Sequence, residues 1–255
     1  TPGPTASPSP TATATREPRP IYLPIGLYES CTDREIHADV VLVMDVSTSM
    51  RLETSAGRPK LTAALDAATA FLGLMDFSPN AEGGHDQVAV VGFNDTAWIQ
   101  APLAADGPAL AAALGALADR MAEGTRLDLA LSRGAEALEA PERRDENTGV
   151  IVLMTDGLPN RVPTPDPTGS QDDTVRMVAD AAKAADVQIY TIGVGRPDDP
   201  NPIGRINAPL LEDVATRPDM YYETPDAEEL DAIYEAIAFT IACPPGRHKW
   251  GEPWP

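Results

Sequence analysis

A run of apolar residues in this chain ends at an aspartate, and two serines follow at alternate positions. The run is VVLVM at 40–44, the aspartate is Asp45, and the serines are Ser47 and Ser49. Carboxylate and hydroxyl oxygens suit hard cations such as Mg²⁺, Mn²⁺ or Ca²⁺; with no His or Cys nearby in the sequence, they do not suit zinc. The spacing indicates a candidate metal site at the end of a buried strand.

A second apolar run ends in the same way. VIVLM at 150–154 leads into Thr155 and Asp156, and Gly124-Thr125 opens a helix between the two runs. Each pattern alone can be explained without a metal. Ser49 could cap a helix, Thr-Asp-Gly is a common turn, and Gly-Thr often precedes a helix. Their order at the ends of successive elements favours one shared site.

The elements that would position these residues alternate between strands and helices. The alternation predicts an α/β fold: a doubly wound, mostly parallel central sheet of about six strands, with one antiparallel edge strand and helices on both faces. Ligands in such folds bind beyond the carboxyl ends of the strands. The predicted strands are 38–45, 87–93, 96–102, 150–155, 187–195 and 220–224. The predicted helices are 59–76, 107–121, 126–140, 172–185, 208–216 and 226–242.

The composition excludes several classes of partner. The chain has 255 residues and a net charge of −20, which argues against nucleic acid because phosphate binding needs a basic face. The same charge disfavours anionic membrane surfaces. The apolar runs are far shorter than the roughly 18–20 residues of a spanning helix, so we expect no membrane insertion by this chain.

The ends of the chain differ in composition from its middle. Residues 1–30 begin with a tract rich in Pro, Thr, Ser and Ala that is typical of an extended linker or stalk, 31–243 is the predicted domain, and 244–255 is a tail. The start in a linker-like tract leads us to expect a processed form of an exported protein. Cys31 and Cys243 lie at the two ends of the predicted domain. They are either two unrelated thiols or, in an oxidising compartment, a disulfide that joins the ends of the domain.

Taken together, the motifs resemble those of von Willebrand factor A domains, the fold shared with integrin I domains. That family carries a metal-ion-dependent adhesion site written Asp-x-Ser-x-Ser, then Thr, then Asp. The resemblance covers about 38–242. Two features depart from the family pattern: Glu123-Gly124 replaces the frequent Gly-Gly before the threonine, and the loop 157–173 is long and rich in proline. The matching positions are Asp45, Ser47, Ser49, Thr125 and Asp156.

The resemblance implies a mechanism for this site. Ser47, Ser49 and Thr125 would bind the ion through neutral oxygens, and Asp45 and Asp156 would act largely through bound waters. Few anionic ligands leave the cation electrophilic, so an Asp or Glu carboxylate of a protein partner completes its coordination. Mg²⁺ suits this arrangement, with Mn²⁺ or Ca²⁺ as alternatives.

The function expected from this mechanism is adhesion or protein binding at the cell surface or outside the cell. The alternative is a structural subunit of a surface appendage or filament that assembles with itself. An enzyme is disfavoured, because the sequence offers no positioned base beyond the ligand aspartates. Arg126 and Arg161 are candidates for partner specificity because they could pair with acidic groups around the captured carboxylate. The alternative is that the loop that contains Arg161 is a passive surface loop with no part in partner binding.

Overall fold

The computed structural model describes residues 37–164, 169–199, 201 and 204–242. All of them belong to one compact unit of the chain. Several parts of the prediction lie outside the described residues, namely the linker 1–30, the tail 244–255, Cys31 and Cys243.

The described residues form a six-stranded sheet in which β3 runs antiparallel to β2 and the other neighbouring strands are parallel. The order across the sheet is β3-β2-β1-β4-β5-β6. This confirms the predicted fold class, including the antiparallel edge strand. The strands are β1 (Ala38–Asp45), β2 (Gln87–Phe93), β3 (Ala97–Ala104), β4 (Thr148–Thr155), β5 (Gln188–Val194) and β6 (Tyr221–Thr224).

Helices cover both faces of the sheet. One face packs against α1, α2 and α6, and the other against α3, α4 and α5. Within the described part of the chain, no helix is long and apolar enough to cross a membrane. The helices are α1 (Lys60–Leu72), α2 (Gly107–Gly115), α3 (Leu127–Leu138), α4 (Gln171–Ala184), α5 (Ala208–Val214) and α6 (Leu230–Ala242).

Strand β1 lies in the centre of the sheet and is buried along its whole length. Its side chains alternate between the two cores: Val40, Leu42 and Met44 join one, and Val41 and Val43 join the other. Because each buried aliphatic side chain contributes roughly 1.5–3 kcal/mol, this strand anchors both layers. A continuous apolar run is what a strand covered on two faces requires.

The strand order reverses between β1 and β4. The chain passes from β1 to β2 on one side, and β4 then pairs with the other side of β1 in register, with Met44 opposite Met154. A crevice at the carboxyl ends of the strands forms at such a reversal. The fold therefore places the residues after β1 and β4 at the same point of the sheet edge.

Some helix boundaries differ from the prediction at glycines. The predicted helix 107–121 ends at Gly115 and continues as a 3-10 helix over Ala116–Arg120, and the predicted helix 59–76 ends at Leu72, before Gly73. Glycine disfavours the helix interior because it loses more backbone entropy than other residues. These differences do not move the residues of the candidate site.

Candidate metal centre

Asp45 and Asp156 lie at the carboxyl ends of β1 and β4, and both are fully buried. Each oxygen of Asp45 is held by a donor: the backbone N–H of Ser47 donates to Oδ1 at 2.8 Å, and the Thr155 hydroxyl donates to Oδ2 at 2.6 Å. The carboxylate of Asp45 is therefore fixed by the turn that follows it and by the neighbouring strand.

The two serines connect the first aspartate to the second. Ser47 and Ser49 have their hydroxyl oxygens 2.8 Å apart, and the Ser49 hydroxyl donates to Asp156 Oδ1 at 2.7 Å. The 3-10 helix Thr48–Arg51 sets their relative placement; Ser47 precedes it without a side-chain capping bond. The alternative role of Ser49 as a helix cap is wrong, because its hydroxyl faces Asp156 instead.

Thr125 reaches the same place from the start of α3. Its backbone N–H donates to Asn160 Oδ1 at 3.1 Å, and the backbone N–H of Asn160 donates back to the Thr125 carbonyl at 3.1 Å. A Cβ atom built on Gly157 would lie 3.4 Å from Thr125 Oγ1 and 3.9 Å from Ser49 Oγ. The hydroxyls of Thr125 and Ser49 therefore both lie around Gly157, the residue after Asp156, and the structure brings all five predicted residues to one region.

Two buried carboxylates this close together are electrostatically unfavourable without a cation. Burial raises the pKa of Asp45, and the charge of Asp156 raises it further, against the hydrogen bonds from Thr155 and Ser47. Burial also raises the pKa of Asp156, against the effect of Lys60 and the Ser49 hydrogen bond. A buried charge is tolerated when it is paired or bound to a metal, so the arrangement fits a divalent cation.

The oxygen atoms of the site also fit the class of metal. The side chains offer two carboxylates and three hydroxyls, which are hard ligands. The described residues hold no group of three or more His, Cys, Asp or Glu that could bind a metal. A metal site here would therefore depend on hydroxyl oxygens as well as carboxylates.

A family profile described as von Willebrand factor type A domain matches residues 39–236. The chain belongs to this family. The matched range contains β2 to β6, all of β1 except its first residue, and all five residues of the candidate metal centre. No curated protein matches the chain at a significant level.

Several solved structures resemble this one in fold. The pilus adhesin SpaC from Lactobacillus rhamnosus GG matches with a TM-score of 0.63 and 19% identity over 81% of this chain and 31% of SpaC. The type A domain of the type V pili tip protein Mfa5 from Porphyromonas gingivalis has a TM-score of 0.62 and 16% identity over 81% of this chain and 95% of that one.

A third structure is proximal thread matrix protein 1 from the mussel byssus, with zinc in its metal-ion-dependent adhesion site. It matches with a TM-score of 0.61 and 21% identity over 82% of this chain and 47% of the mussel protein. This chain thus spans about half of the mussel protein and about a third of SpaC.

Lys60 is a residue of this type A domain that the sequence analysis missed. It is the first residue of α1 and only 7% exposed, and its Nζ lies 3.2 Å from Asp156 Oδ2 and 3.2 Å from the Val194 carbonyl. One signal was present in the sequence: a lysine at a helix N-terminus is opposed by the helix dipole, so an anion nearby should compensate it.

The two arginines predicted to set specificity both contact carboxylates of the type A domain itself. Arg126 forms a two-pronged pair with Asp128, with N···O distances of 2.8 and 2.7 Å, and its side chain is 20% exposed. Arg161 is half exposed and lies 3.2 Å from both Asp95 and Glu123. Arg161 is thus the more accessible of the two, and its role toward a partner stays a prediction.

Gly124 positions Thr125 in this type A domain, which yields a testable prediction. Gly124 has φ +103°, and a Cβ added there would lie 2.8 Å from Asp95 Cβ and 2.9 Å from Asp95 Cα. We expect Gly124→Ala to destabilise the protein by about 1–3 kcal/mol and to weaken metal binding. Thermal denaturation and metal titration measure the two effects.

Gly115 provides the matched control. A Cβ at this position meets nothing within 4 Å, and Gly115 has φ −57°, a helical backbone that any residue adopts. Gly115→Ala should therefore leave metal binding unchanged and stabilise the protein by about 0.4–1 kcal/mol. Equal behaviour of the two variants would contradict the role assigned to Gly124.

Proposed function

We propose that this domain binds a protein partner by capturing an Asp or Glu carboxylate through a divalent cation. The observation that carries the proposal is the convergence of two buried carboxylates and three hydroxyls at the reversal of strand order. A bound cation would supply an electrophilic centre that accepts an external carboxylate. Asp45, Ser47, Ser49, Thr125 and Asp156 would hold that cation.

The chain's own hydrogen bonds prepare these residues for the role. Asp45 already uses one lone pair of each oxygen for Ser47 and Thr155, which fixes its orientation. Ser47 and Ser49 contribute neutral oxygens, which leave the charge of the cation largely uncompensated. Mg²⁺ is the ion we propose, with Mn²⁺ or Ca²⁺ as alternatives; since a mussel relative holds zinc, zinc belongs in the same titrations.

An acidic protein can capture an acidic group because the two interactions act over different distances. Repulsion between exposed charges is screened beyond roughly 8–10 Å at physiological salt, whereas contact with a bound ion is not. Asp95 and Glu123 add acidic groups near Thr125, and Arg161 pairs with both. We propose that Arg161 exchanges these partners for acidic groups on the bound protein and so contributes to specificity.

We propose an extracellular or cell-surface location and an adhesive role. The support comes from the solved relatives, which include a pilus adhesin and a pilus tip protein. We assign binding and not catalysis to the site, because the sequence offers no base near the ion other than the aspartates themselves. Nucleic acid is not a proposed partner, given the net charge of −20.

The second candidate function is a structural subunit of a surface appendage or filament. It is favoured by the relatives from pili and from the mussel byssus, which are parts of extended assemblies by their names. Size-exclusion chromatography at increasing concentration separates the two candidates. Growth into polymers supports assembly, and a monomer at every concentration supports binding to a different protein.

The proposed function is tested by capture of partners on the immobilised domain. We expect specific proteins to be retained in Mg²⁺ and released by EDTA, and to be absent from an Asp45→Asn domain used as matched bait. Changing the acidic residues of a retained partner to amides should abolish its binding. Retention that survives EDTA, or a partner that binds without any acidic side chain, would contradict metal-mediated capture.

A further inference from the structure

The position of Lys60 conflicts with local electrostatics and is held by tertiary contacts. As the first residue of the 13-residue α1, its ammonium lies near the positive end of the helix dipole, where a cation is unfavourable. It is also nearly buried. Asp156, which follows β4, and the carbonyl of Val194, which ends β5, are the two groups that its Nζ contacts. Three elements thus converge to place one cation beside the metal centre.

This cation changes the charge of the centre. Asp45 and Asp156 carry two negative charges when both are ionised, and Lys60 reduces the sum to one. A divalent ion then brings the centre to a net positive charge, whereas without Lys60 the loaded centre would be neutral. The two arginines near the site, Arg126 and Arg161, do not change the charge of the metal centre in this way, because they contact carboxylates outside it.

We propose that Lys60 is a positioning residue that weakens metal binding and strengthens capture of the partner's carboxylate by the metal-loaded site. The inference rests on the proposed function and extends it. Lys60 repels the incoming ion and occupies Asp156 Oδ2, which restrains that carboxylate from turning to the metal. The same positive charge then attracts an anionic ligand to the loaded centre.

The two effects have opposite signs, which separates this role from a merely structural one. Replacing Lys60 with methionine keeps an unbranched side chain, one atom shorter, and removes its charge. We expect Lys60→Met to bind Mn²⁺ about tenfold more tightly and, once loaded, to bind acetate about tenfold more weakly. If Lys60 only supported the local structure, its loss would weaken both.

The experiment uses the metal alone and then acetate as the carboxylate probe. Calorimetry measures Mn²⁺ affinity, and paramagnetic broadening of the acetate methyl signal in proton NMR measures acetate binding to the Mn²⁺-loaded protein. Lys60→Arg retains the charge and should resemble the wild type in both measurements. Lys60→Gln, which keeps a polar donor, replaces the methionine variant if that one does not fold, and should show the same opposite changes.

The outcomes distinguish this inference from the proposed function. Unchanged or weaker Mn²⁺ binding in the neutral variants overturns the role of Lys60, and so does acetate binding as tight as in the wild type. Wild-type protein that binds no Mn²⁺, or that binds Mn²⁺ but does not broaden acetate, contradicts the proposed function itself. Tighter metal binding with weaker acetate binding in the neutral variants supports the inference.

Discussion

Asp45→Asn should strongly weaken metal binding and at the same time make the metal-free protein more stable. Asparagine has the same shape and keeps an oxygen for the Ser47 N–H, so the turn after β1 is preserved. The substitution removes one of two buried carboxylates whose negative charges repel each other. We expect metal affinity to fall about 100-fold and the melting temperature in EDTA to rise by about 2–4 °C, which corresponds to roughly 1 kcal/mol.

Asp39→Asn is the matched control for this variant. Asp39 lies on the same strand, is equally buried, and stands at the opposite edge of the sheet, where it accepts hydrogen bonds from Arg144 and Asn147. Asp39→Asn should leave metal affinity unchanged. Calorimetry measures the Mg²⁺ affinity of both variants, and thermal denaturation in EDTA measures their stability without metal. Unchanged Mg²⁺ affinity in Asp45→Asn would refute the assignment of the site.

Loss of the predicted bond between Cys31 and Cys243 should have the largest effect on stability. Both cysteines lie outside the described residues, so the bond between them stays a prediction. Cys243 directly follows α6. A bond that closes a loop of roughly 210 residues contributes about 5 kcal/mol by chain entropy, as an upper figure.

Intact mass and denaturation test the disulfide. The oxidised protein should be lighter than the reduced protein by two hydrogen atoms, and thiol reagents should label neither cysteine before reduction. A double change to serine should lower the free energy of unfolding by up to the same amount. Metal affinity should be retained, because neither cysteine is one of the five residues of the candidate metal centre. Ready labelling of both thiols in freshly exported protein would disprove the bond.

The sheet and the meeting of the candidate ligand residues at one edge could be predicted because local patterns determine them. Apolar runs such as 40–44 identify strands buried on both faces, and the alternation with helices determines which strands are parallel. The direction of parallel strands then places Asp45 and Asp156 at one edge without any knowledge of tertiary contacts. Glycine positions such as Gly115 account for helix ends that the periodic pattern overran.

The charged contacts around the site could not be predicted, because they join residues far apart in the chain. Lys60 meets Asp156 across 96 positions, and Arg58 meets Glu228 across 170. Surface and partly buried ion pairs carry no periodic signal, and any of several carboxylates could have been the partner. The pairing of Arg161 with Asp95 and Glu123 likewise depends on how the loops fold against each other.

Anomalous scattering from crystals of the Mn²⁺-loaded protein tests the central claim most directly. We predict one strong anomalous peak in the wild type, bounded by the hydroxyls of Ser47, Ser49 and Thr125 and by the carboxylates of Asp45 and Asp156. The same soak of Asp45→Asn crystals should give no peak there. A Mn²⁺ ion bound elsewhere, or an undiminished peak in the variant, would contradict a metal centre formed by these five residues.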